Sequence, residues 1–193
     1  NLNGTWDFGF DDENAGEKEK WYQEFKGDKK INVPFTYETK LSGIQDETRH
    51  DFIWYHRTIS VDGEKLENNR YILHFEGSDF ITKVWVNGAY AGSHRGGYAR
   101  CSFDVTNLVH DGENELTVKV EDSYDPQQPR GKQRWIKENF GCWYIQTTGI
   151  WKTVWSEYVP KIGLASVKMT PDLQNAALKL EYEVDAAEEV LGE

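Results

Sequence analysis

The sequence has little cysteine, and no stretch of it is uniformly apolar. No apolar run approaches the roughly 18–20 residues that a membrane-spanning helix requires, so we expect no membrane partner. The two cysteines, Cys101 and Cys142, lie far apart, with no His or Cys beside them at metal-ligand spacing. They predict neither a disulfide framework nor a zinc site, and a single bridge between them stays open. We expect no metal and no cofactor.

The chain also lacks basic character. Its 33 Asp and Glu residues outnumber its 22 Lys and Arg residues, which gives a formal net charge of −11. Nucleic acids and anionic membranes need a basic surface, so we expect neither as a partner. The chain begins at Asn1 with no Met and no signal-peptide pattern, which indicates a trimmed or processed start. A cytoplasmic location is favoured over secretion.

Aromatic residues are abundant, at 14% of the 193 residues, and they favour strands over helices. Apolar and polar residues alternate in short segments separated by Gly- and Asp-rich turns, and no amphipathic helix longer than two turns is indicated. The dipeptide Asn87-Gly88 is a strong hairpin signal. The predicted strands cover residues 2–10, 31–35, 52–61, 71–76, 82–86, 89–93, 101–105, 115–121, 149–155, 162–170 and 177–184. We predict an all-β protein, most simply a jelly-roll β-sandwich.

The length suits one full domain and part of another. Only two predicted strands follow Pro160, and the chain then becomes acidic. These strands either complete the sandwich or, as two strands and an abrupt end favour, begin a second β domain. We therefore assign residues 1–160 to the jelly roll, and residues 161–193 to a truncated second β-sandwich domain with an acidic tail.

Residues 139–155, NFGCWYIQTTGIWKTVW, hold three of the eight tryptophans. Such a stretch is either the centre of a β core or the floor of a binding cleft. From Gly149 onward it alternates as a strand with bulky side chains on both faces, which predicts a core strand covered on both sides. For residues 139–148, before this glycine, both interpretations stay open.

The loop from Asp122 to Trp143 is the best candidate for function. It offers hydrogen-bonding side chains and aromatic faces, which are the groups that bind sugars. Plainer interpretations stay open, namely an exposed turn at Arg130 and Lys132 and a packing role for Trp143. A second loop, residues 44–51, either approaches the same site or is a solvated charge cluster. The candidate substrate-binding residues are Asp46, Asp122, Arg130, Lys132, Gln133, Trp135 and Trp143.

Several short motifs carry a family resemblance through their order and spacing. They are Trp54-Tyr55-His56-Arg57, Trp85-Val86-Asn87-Gly88, Phe103-Asp104-Val105-Thr106 with Gly112-Glu113-Asn114, and Gly149-Ile150-Trp151-Lys152-Thr153-Val154-Trp155. Together they resemble the family 2 glycoside hydrolases, which include β-galactosidases, β-glucuronidases and β-mannosidases. The resemblance covers residues 1–160 and implies the amino-terminal sugar-binding domain, a galactose-binding-domain-like jelly roll. An immunoglobulin-like domain would begin after it.

The resemblance also implies what the chain does not contain. Both catalytic glutamates of these enzymes lie on a later (β/α)₈ barrel, so we expect no catalytic residue here. Asn114-Glu115 has the same two residues as the family's acid/base motif. It follows the turn at Asp111-Gly112 and begins a strand, so we interpret it as part of an ordinary turn and not as a catalytic motif. The resemblance implies that the chain just before Gly149 approaches the sugar subsite. Some relatives hold an aspartate there that touches the terminal sugar, and that position falls on Trp143. An aromatic side chain at this position implies either that Trp143 stacks on a sugar ring or that it packs under the loop or against the barrel.

Three functions stay open. The first is a non-catalytic domain that braces the catalytic barrel and lends its loops to the carbohydrate subsite. The second is a free-standing carbohydrate-binding module, and the third is a structural domain for oligomer contacts, including a homo-oligomer. A module predicts a row of exposed aromatic residues. A brace predicts buried tryptophans, one apolar docking patch and no sugar binding tighter than millimolar.

Overall fold

The computed structural model describes residues 1–186, which are almost entirely β-structure and turns. The strands are β1 (Gly4–Phe10), β2 (Lys29–Val33), β3 (Phe52–Val61), β4 (Asn69–Phe75), β5 (Ser78–Asp79), β6 (Ile81–Val86), β7 (Ala89–Arg95), β8 (Cys101–Asp104), β9 (Gly112–Glu121), β10 (Gly149–Ile150), β11 (Val154–Pro160), β12 (Ile162–Asp172) and β13 (Ala177–Ala186). A short helix, α1 (Gly63–Asn68), and a 3₁₀ turn (Lys40–Ser42) are also present. Within residues 1–186, no helix is long and apolar enough to cross a membrane.

The strands form two antiparallel layers around a common core. The larger layer is a six-stranded sheet in the order β2-β1-β3-β9-β6-β7. The other layer consists of the three-stranded sheet β11-β4-β8 and the short pair β10-β5. The all-β sandwich predicted from the alternating pattern is confirmed.

Alternate residues of both layers fill an aromatic-rich core. Trp6 and Phe8 of β1 are 1% and 0% exposed, and the Tyr55 ring packs edge-on against them at centroid distances of 6.3 and 5.1 Å. Leu73 and Phe75 of β4 are wholly buried on the opposite side. Burial of each such side chain contributes about 1.5–3 kcal/mol, so this core is the main source of stability.

Local signals account for two of the turns. Asn87 and Gly88 both have positive φ, 50° and 75°, and they join β6 to β7 as the predicted hairpin. The charged segment between β3 and β4 forms the short helix α1. Asp62 caps this helix by accepting a hydrogen bond from the Lys65 amide at 3.2 Å.

The strand predicted over residues 149–155 is interrupted. Its first two residues, in β10, pair with β5, whereas β11 starts at Val154 and pairs with β4. Ile150 and Val154 are wholly buried, but Trp151 and Trp155 are only half-buried. The prediction of a core strand covered on both faces is therefore wrong for the tryptophan face. There the Trp151 indole nitrogen donates to the Gly97 carbonyl at 2.7 Å instead of entering the core.

Strands β12 and β13 form a long hairpin with exposed apolar side chains. Leu164 lies opposite Val184 and Met169 opposite Leu180, all on one face of the hairpin. These four residues are 66%, 48%, 65% and 53% exposed, so the face is open to solvent. The acidic tail predicted after the hairpin lies largely outside the described residues.

Both cysteines are free thiols, so the bridge that the sequence left open is not formed. Cys101 lies in the core, where burial raises the pKa of its thiol to about 11. Cys142 is exposed in the loop between β9 and β10.

Candidate functional site

Residues 122–148, which we name the strap, connect β9 to β10 and fold back on themselves. The Tyr144 amide donates to the Lys132 carbonyl at 2.8 Å, and the Arg134 amide donates to the Tyr144 carbonyl at 2.6 Å. At the tip, the Trp143 amide donates to the Phe140 carbonyl at 2.9 Å. These backbone bonds give the strap a defined shape, although it contains none of the named strands.

Two buried polar side chains tie the strap to the loop at residues 44–51. Arg134, 7% exposed, donates from Nε to Oε1 of Gln146 at 2.7 Å and from a terminal nitrogen to the Glu47 carbonyl. Gln146, 2% exposed, donates to the Thr48 carbonyl at 3.3 Å. A buried hydrogen bond to a charged group contributes about 1.5–3 kcal/mol to stability. Bonds of this strength hold the strap against residues 44–51, so the two candidate loops form one surface.

The base of the strap is anchored to two carboxyl groups at the edge of the sandwich. The Thr148 amide donates to Glu38 Oε1 at 3.0 Å, and the Thr148 hydroxyl donates to Asp122 Oδ2 at 3.0 Å. Burial raises the pKa of Glu38 to about 7 and also raises the pKa of Asp122. The predicted ligand Asp122 is therefore occupied with the strap's own Thr148 and Gln128.

A small aromatic cluster lies at the tip of the strap. The Trp135 and Phe140 rings are 5.7 Å apart edge-to-face, and the Phe140 and Trp143 rings are 6.3 Å apart. Trp135 is 43% exposed, Phe140 37%, and Trp143 is half-buried. The structure thus brings the two predicted tryptophans together around Phe140, and it leaves their outer faces open.

A cavity of about 490 Å³, which we name the loop cavity, lies between the strap and residues 44–51. Its walls include Arg49, Tyr124, Arg134 and Lys137. The Arg49 guanidinium lies 4.2 Å from the centre of the Tyr124 ring, as a cation–π contact. Basic groups and an aromatic face therefore share one concave surface.

Asp46 lies beside the loop cavity but does not line it. Its Oδ1 accepts hydrogen bonds from the Thr48 amide at 2.9 Å and from the Thr48 hydroxyl at 2.6 Å. These hydrogen bonds lower the pKa of Asp46. His50 Nε2 lies 3.5 Å from its other oxygen. Asp46 thus belongs to the charge cluster that the sequence left as the alternative.

The interpretation of Arg130 and Lys132 as an exposed turn holds for only one of them. Lys132 is exposed, but Arg130 is 8% exposed, and its guanidinium donates to the carbonyls of Ser123, Asp125 and Arg134. For Arg130 the exposed-turn interpretation is wrong. The terminal nitrogens of the Arg130 guanidinium thus donate to backbone carbonyls of the strap itself.

Gln133, predicted to bind substrate, makes its hydrogen bonds to other residues of the chain. Its amide nitrogen donates to Asp79 Oδ2 at 2.7 Å, and its amide oxygen accepts from the Thr147 backbone at 2.8 Å. Asp79 is 4% exposed, and burial raises its pKa to about 6. None of the predicted residues therefore lines the loop cavity. Two of them lie at the aromatic tip, one pairs with Asp79, and the others are bonded within the strap, exposed on it, or part of the charge cluster at residues 44–51.

Sequence reasoning missed several residues that organise the site. They are Glu38, Asp79, Tyr98, Tyr144 and Gln146. Glu38 and Asp79 lie on irregular segments or a two-residue strand, where no periodic pattern marks burial. For Gln146, the polar residues that precede Gly149 were the one sequence feature that could have indicated a role in the site. Within residues 1–186, no group of three or more His, Cys, Asp or Glu side chains is placed to hold a metal ion.

Comparison with known proteins places this geometry in a family. Residues 1–156 match the family described as glycosyl hydrolases family 2, sugar binding domain. The chain is 34% identical over 143 residues to a putative β-glucuronidase of Formosa agariphila, covering 72% of this chain and 16% of that protein. It is 26% identical over 183 residues to a β-galactosidase of Thermoanaerobacter pseudethanolicus, covering 93% of this chain and 22% of that protein.

Solved structures show the same fold. A β-glucuronidase from an uncultured Clostridium species superposes with a TM-score of 0.73 at 26% identity, over 97% of this chain and 34% of that one. A Ruminococcus gnavus β-glucuronidase superposes with a TM-score of 0.78 at 20% identity, over 96% of this chain and 32% of that one. The chain thus spans about a third or less of each of these proteins.

Proposed function

Because the chain belongs to the sugar-binding domain family of the family 2 glycosyl hydrolases, we propose that it serves a larger β-glycosidase as its non-catalytic amino-terminal domain. In that enzyme it braces the catalytic barrel and presents the strap and residues 44–51 to the carbohydrate subsite. The observation that carries the proposal is the Arg134–Gln146 pair, which makes the two loops one surface. Binding groups held in place lose little entropy when they meet a substrate.

The tip of the strap supports a contact with a neighbouring surface. Trp135 and Phe140 are the exposed members of the aromatic cluster, and the half-buried Trp143 lies behind them. Aromatic residues grouped on a projecting loop are typical of docking surfaces, where they supply much of the binding energy. Arg134 and Lys137 line the loop cavity and flank Trp135 in the sequence, so a barrel docked on the cluster would close the cavity into a subsite.

Catalysis by the domain itself is not part of the proposal. Retaining glycoside hydrolysis needs two carboxyl groups about 5–5.5 Å apart on either side of a bound sugar. Glu38 and Asp122 both bind Thr148, and both hold the base of the strap in place.

We assign the β12–β13 hairpin to a second β-sandwich domain. Its apolar face carries Leu164, Met169, Leu180 and Val184, and this face is open to solvent. An apolar sheet face of this kind is stable only when another layer covers it. Further strands of the complete enzyme would supply that layer, which supports the division of the chain near residue 160.

A free-standing carbohydrate-binding module is the second candidate. Trp135 at 43% exposed and Tyr144 at 64% exposed favour it, because such modules bind through exposed rings. The buried Trp6 and Trp54 favour the brace. Calorimetry of the 193-residue chain with galactose, glucuronic acid and mannose separates the two, since a micromolar affinity would establish a module and overturn the brace.

The test of the proposal uses the complete enzyme that contains this chain. We expect Trp143→Ala to lower kcat/KM for aryl β-glucuronides or β-galactosides by about tenfold or more, because the aromatic cluster that the proposal places against the barrel loses one of its rings. The matched control is Tyr90→Ala, which removes a 55% exposed ring on β7. Equal kcat/KM values for the wild type, Trp143→Ala and Lys137→Ala would show that the strap does not reach the substrate.

A further inference from the structure

Three carboxyl groups hold the base of the strap, and we name them the carboxyl cluster. Glu38, 6% exposed, accepts a hydrogen bond from the Thr148 amide at 3.0 Å. Asp122, the first residue of the strap, accepts from the Thr148 hydroxyl at 3.0 Å. Asp79, 4% exposed, accepts from the side-chain amide of Gln133 at 2.7 Å. The attachment of the strap to the sandwich therefore depends on carboxyl groups.

Glu38 lies among neutral groups. Its second oxygen, Oε2, is buried and has no hydrogen-bond partner among residues 1–186. The side chains of Tyr37 and Tyr55 face it, both 0% exposed, and burial raises the pKa of both phenols. On the far side of Thr148 lies another acid, Asp122. Neutral phenols and a second acid supply no positive charge that would balance an ionised Glu38.

Asp79 and Asp122 share one buried cation. The charge of Arg130, which is 8% exposed, acts on both carboxyl groups, although its guanidinium donates to backbone carbonyls of the strap. Lys132 lines the same cavity as Asp79 and Arg130 but is exposed, so solvent screens its charge. One buried guanidinium balances one carboxylate. Ionisation of the whole carboxyl cluster would therefore leave two buried negative charges without a counter-charge.

Protons on two of the carboxyl groups remove this imbalance. Burial raises the pKa of Glu38 to about 7, and burial together with the charge of Asp122 raises the pKa of Asp79 to about 6. Glu38 and Asp79 are therefore mostly protonated at about pH 5.5 and mostly ionised at about pH 8. In water, Asp and Glu side chains have pKa values of about 4, so both groups give up their protons at pH 5.5 once they are open to solvent.

We propose that the carboxyl cluster is a pH-sensitive latch, which holds the strap while Glu38 and Asp79 are protonated and releases it when they ionise. In the released state water hydrates the carboxylates, and the hydrogen bonds from Thr148 and Gln133 to the sandwich are lost. The held state binds protons that the released state has given up, so each increase in pH between about 5.5 and 8 favours release. The aromatic cluster at the tip belongs to the strap, so the latch makes its position depend on pH.

The test is amide hydrogen exchange of the 193-residue chain at pH 5.5 and pH 8.0, corrected for the intrinsic pH dependence of exchange, with labelling times from milliseconds to hours. The amides of Thr147 and Thr148 report release, because they donate to Gln133 and Glu38. Amides in the middle of β3 and β9 report global unfolding. We expect the two threonine amides to be less protected than those of β3 and β9, and to lose protection by about tenfold or more at the higher pH.

Two variants remove the titrations one at a time. Glu38→Gln keeps an acceptor for the Thr148 amide but cannot ionise, and we expect its loss of protection over the same pH interval to fall below about fivefold. Asp79→Asn should lessen the loss as well, by a smaller factor, and it decides the matter if Glu38→Gln does not fold. The matched control Glu113→Gln replaces an exposed carboxyl group on β9, and we expect it to show the wild-type loss.

Three results would overturn the proposal. They are equal protection of the two threonine amides at both pH values, exchange of these amides only together with those of β3 and β9, and a wild-type loss in both variants. The second result would assign the titration to global unfolding of the chain. The catalytic barrel takes no part in these measurements, so their outcome is separate from the effect of Trp143→Ala on kcat/KM in the complete enzyme.

Discussion

The guanidinium of Arg134 and the amide of Gln146 are joined by a hydrogen bond of 2.7 Å beneath the strap, where the two residues are 7% and 2% exposed. Each also reaches one carbonyl of the loop at residues 44–51, at Glu47 and Thr48. A pair of buried side chains thus joins segments that are distant in the sequence. The first prediction concerns this pair.

Replacement of Gln146 by Leu should destabilise the chain by about 1–3 kcal/mol. The substitution leaves the buried Arg134 Nε without its acceptor, and an unsatisfied buried donor of a charged group carries that cost. Urea unfolding followed by tryptophan fluorescence measures the change. The control Lys137→Met alters an exposed residue of the same strap, and we expect its effect to stay within about 0.5 kcal/mol. Equal stability of both variants would contradict the role given to the pair.

Stability should fall as pH rises from about 4.5 to 7. The pKa of Glu38 is about 7 in the folded chain, because burial raises it from the model-compound value of 4.5. Between these values the folded state holds a proton that the unfolded state has released, so each increase in pH favours unfolding. Asp79, with its pKa raised to about 6, acts in the same direction.

The contribution of Glu38 is isolated by Glu38→Gln, which cannot ionise. We expect the variant to gain up to about 3 kcal/mol relative to the wild type between pH 5 and pH 8. Urea midpoints measured at the two pH values give this difference. A constant gap between wild type and variant across that range would show that Glu38 titrates normally.

Gly149→Ala should destabilise the chain by about 3 kcal/mol or more. Gly149 has φ +94°, and a Cβ there would lie 2.1 Å from the Tyr55 hydroxyl oxygen, inside the core. Gly112→Ala is the matched control, since Gly112 has φ +88° and nothing within 4 Å of its Cβ position. The control carries only the backbone strain, about 1–2 kcal/mol. Thermal unfolding of the two variants separates overlap from strain, and equal losses would refute the overlap.

Leu73→Ala should cost about 2–5 kcal/mol, because Leu73 is wholly buried in β4 and the substitution leaves a cavity. Leu164→Ala in β12 should change stability by less than about 0.5 kcal/mol, since Leu164 is 66% exposed. Urea unfolding of both variants checks the contrast. A large loss in Leu164→Ala would mean that the hairpin face is already covered in this chain.

Much of the fold could be predicted, because the signals are local. Alternation along β3 and β9 follows from the period of a strand, and Asn87-Gly88 follows from the positive φ that a tight hairpin requires. The interruption of the strand after Ile150 carried no such signal. Bulky residues on both faces looked like a strand covered on both sides, and only the hydrogen bond from Trp151 to Gly97 shows where that ring lies.

For the candidate site, the sequence indicated a region and a kind of chemistry but not the contacts that its side chains make. The composition of the strap indicated sugar-binding chemistry, and Trp135 and Trp143 do lie together at its tip around Phe140. Arg130, however, is turned inward to backbone carbonyls, a direction that its exposed-turn sequence does not indicate.

The sequence by itself determined the β-sandwich and the family, because alternation, turn residues and ordered motifs are properties of neighbouring residues. Only the tertiary structure decided which polar side chains are buried and which are free. The partners of Arg134 and Thr148 lie as many as 87 and 110 residues away, at Glu47 and Glu38. Burial and pairing at such separations depend on how the two layers and the strap pack together, and no local pattern encodes that arrangement.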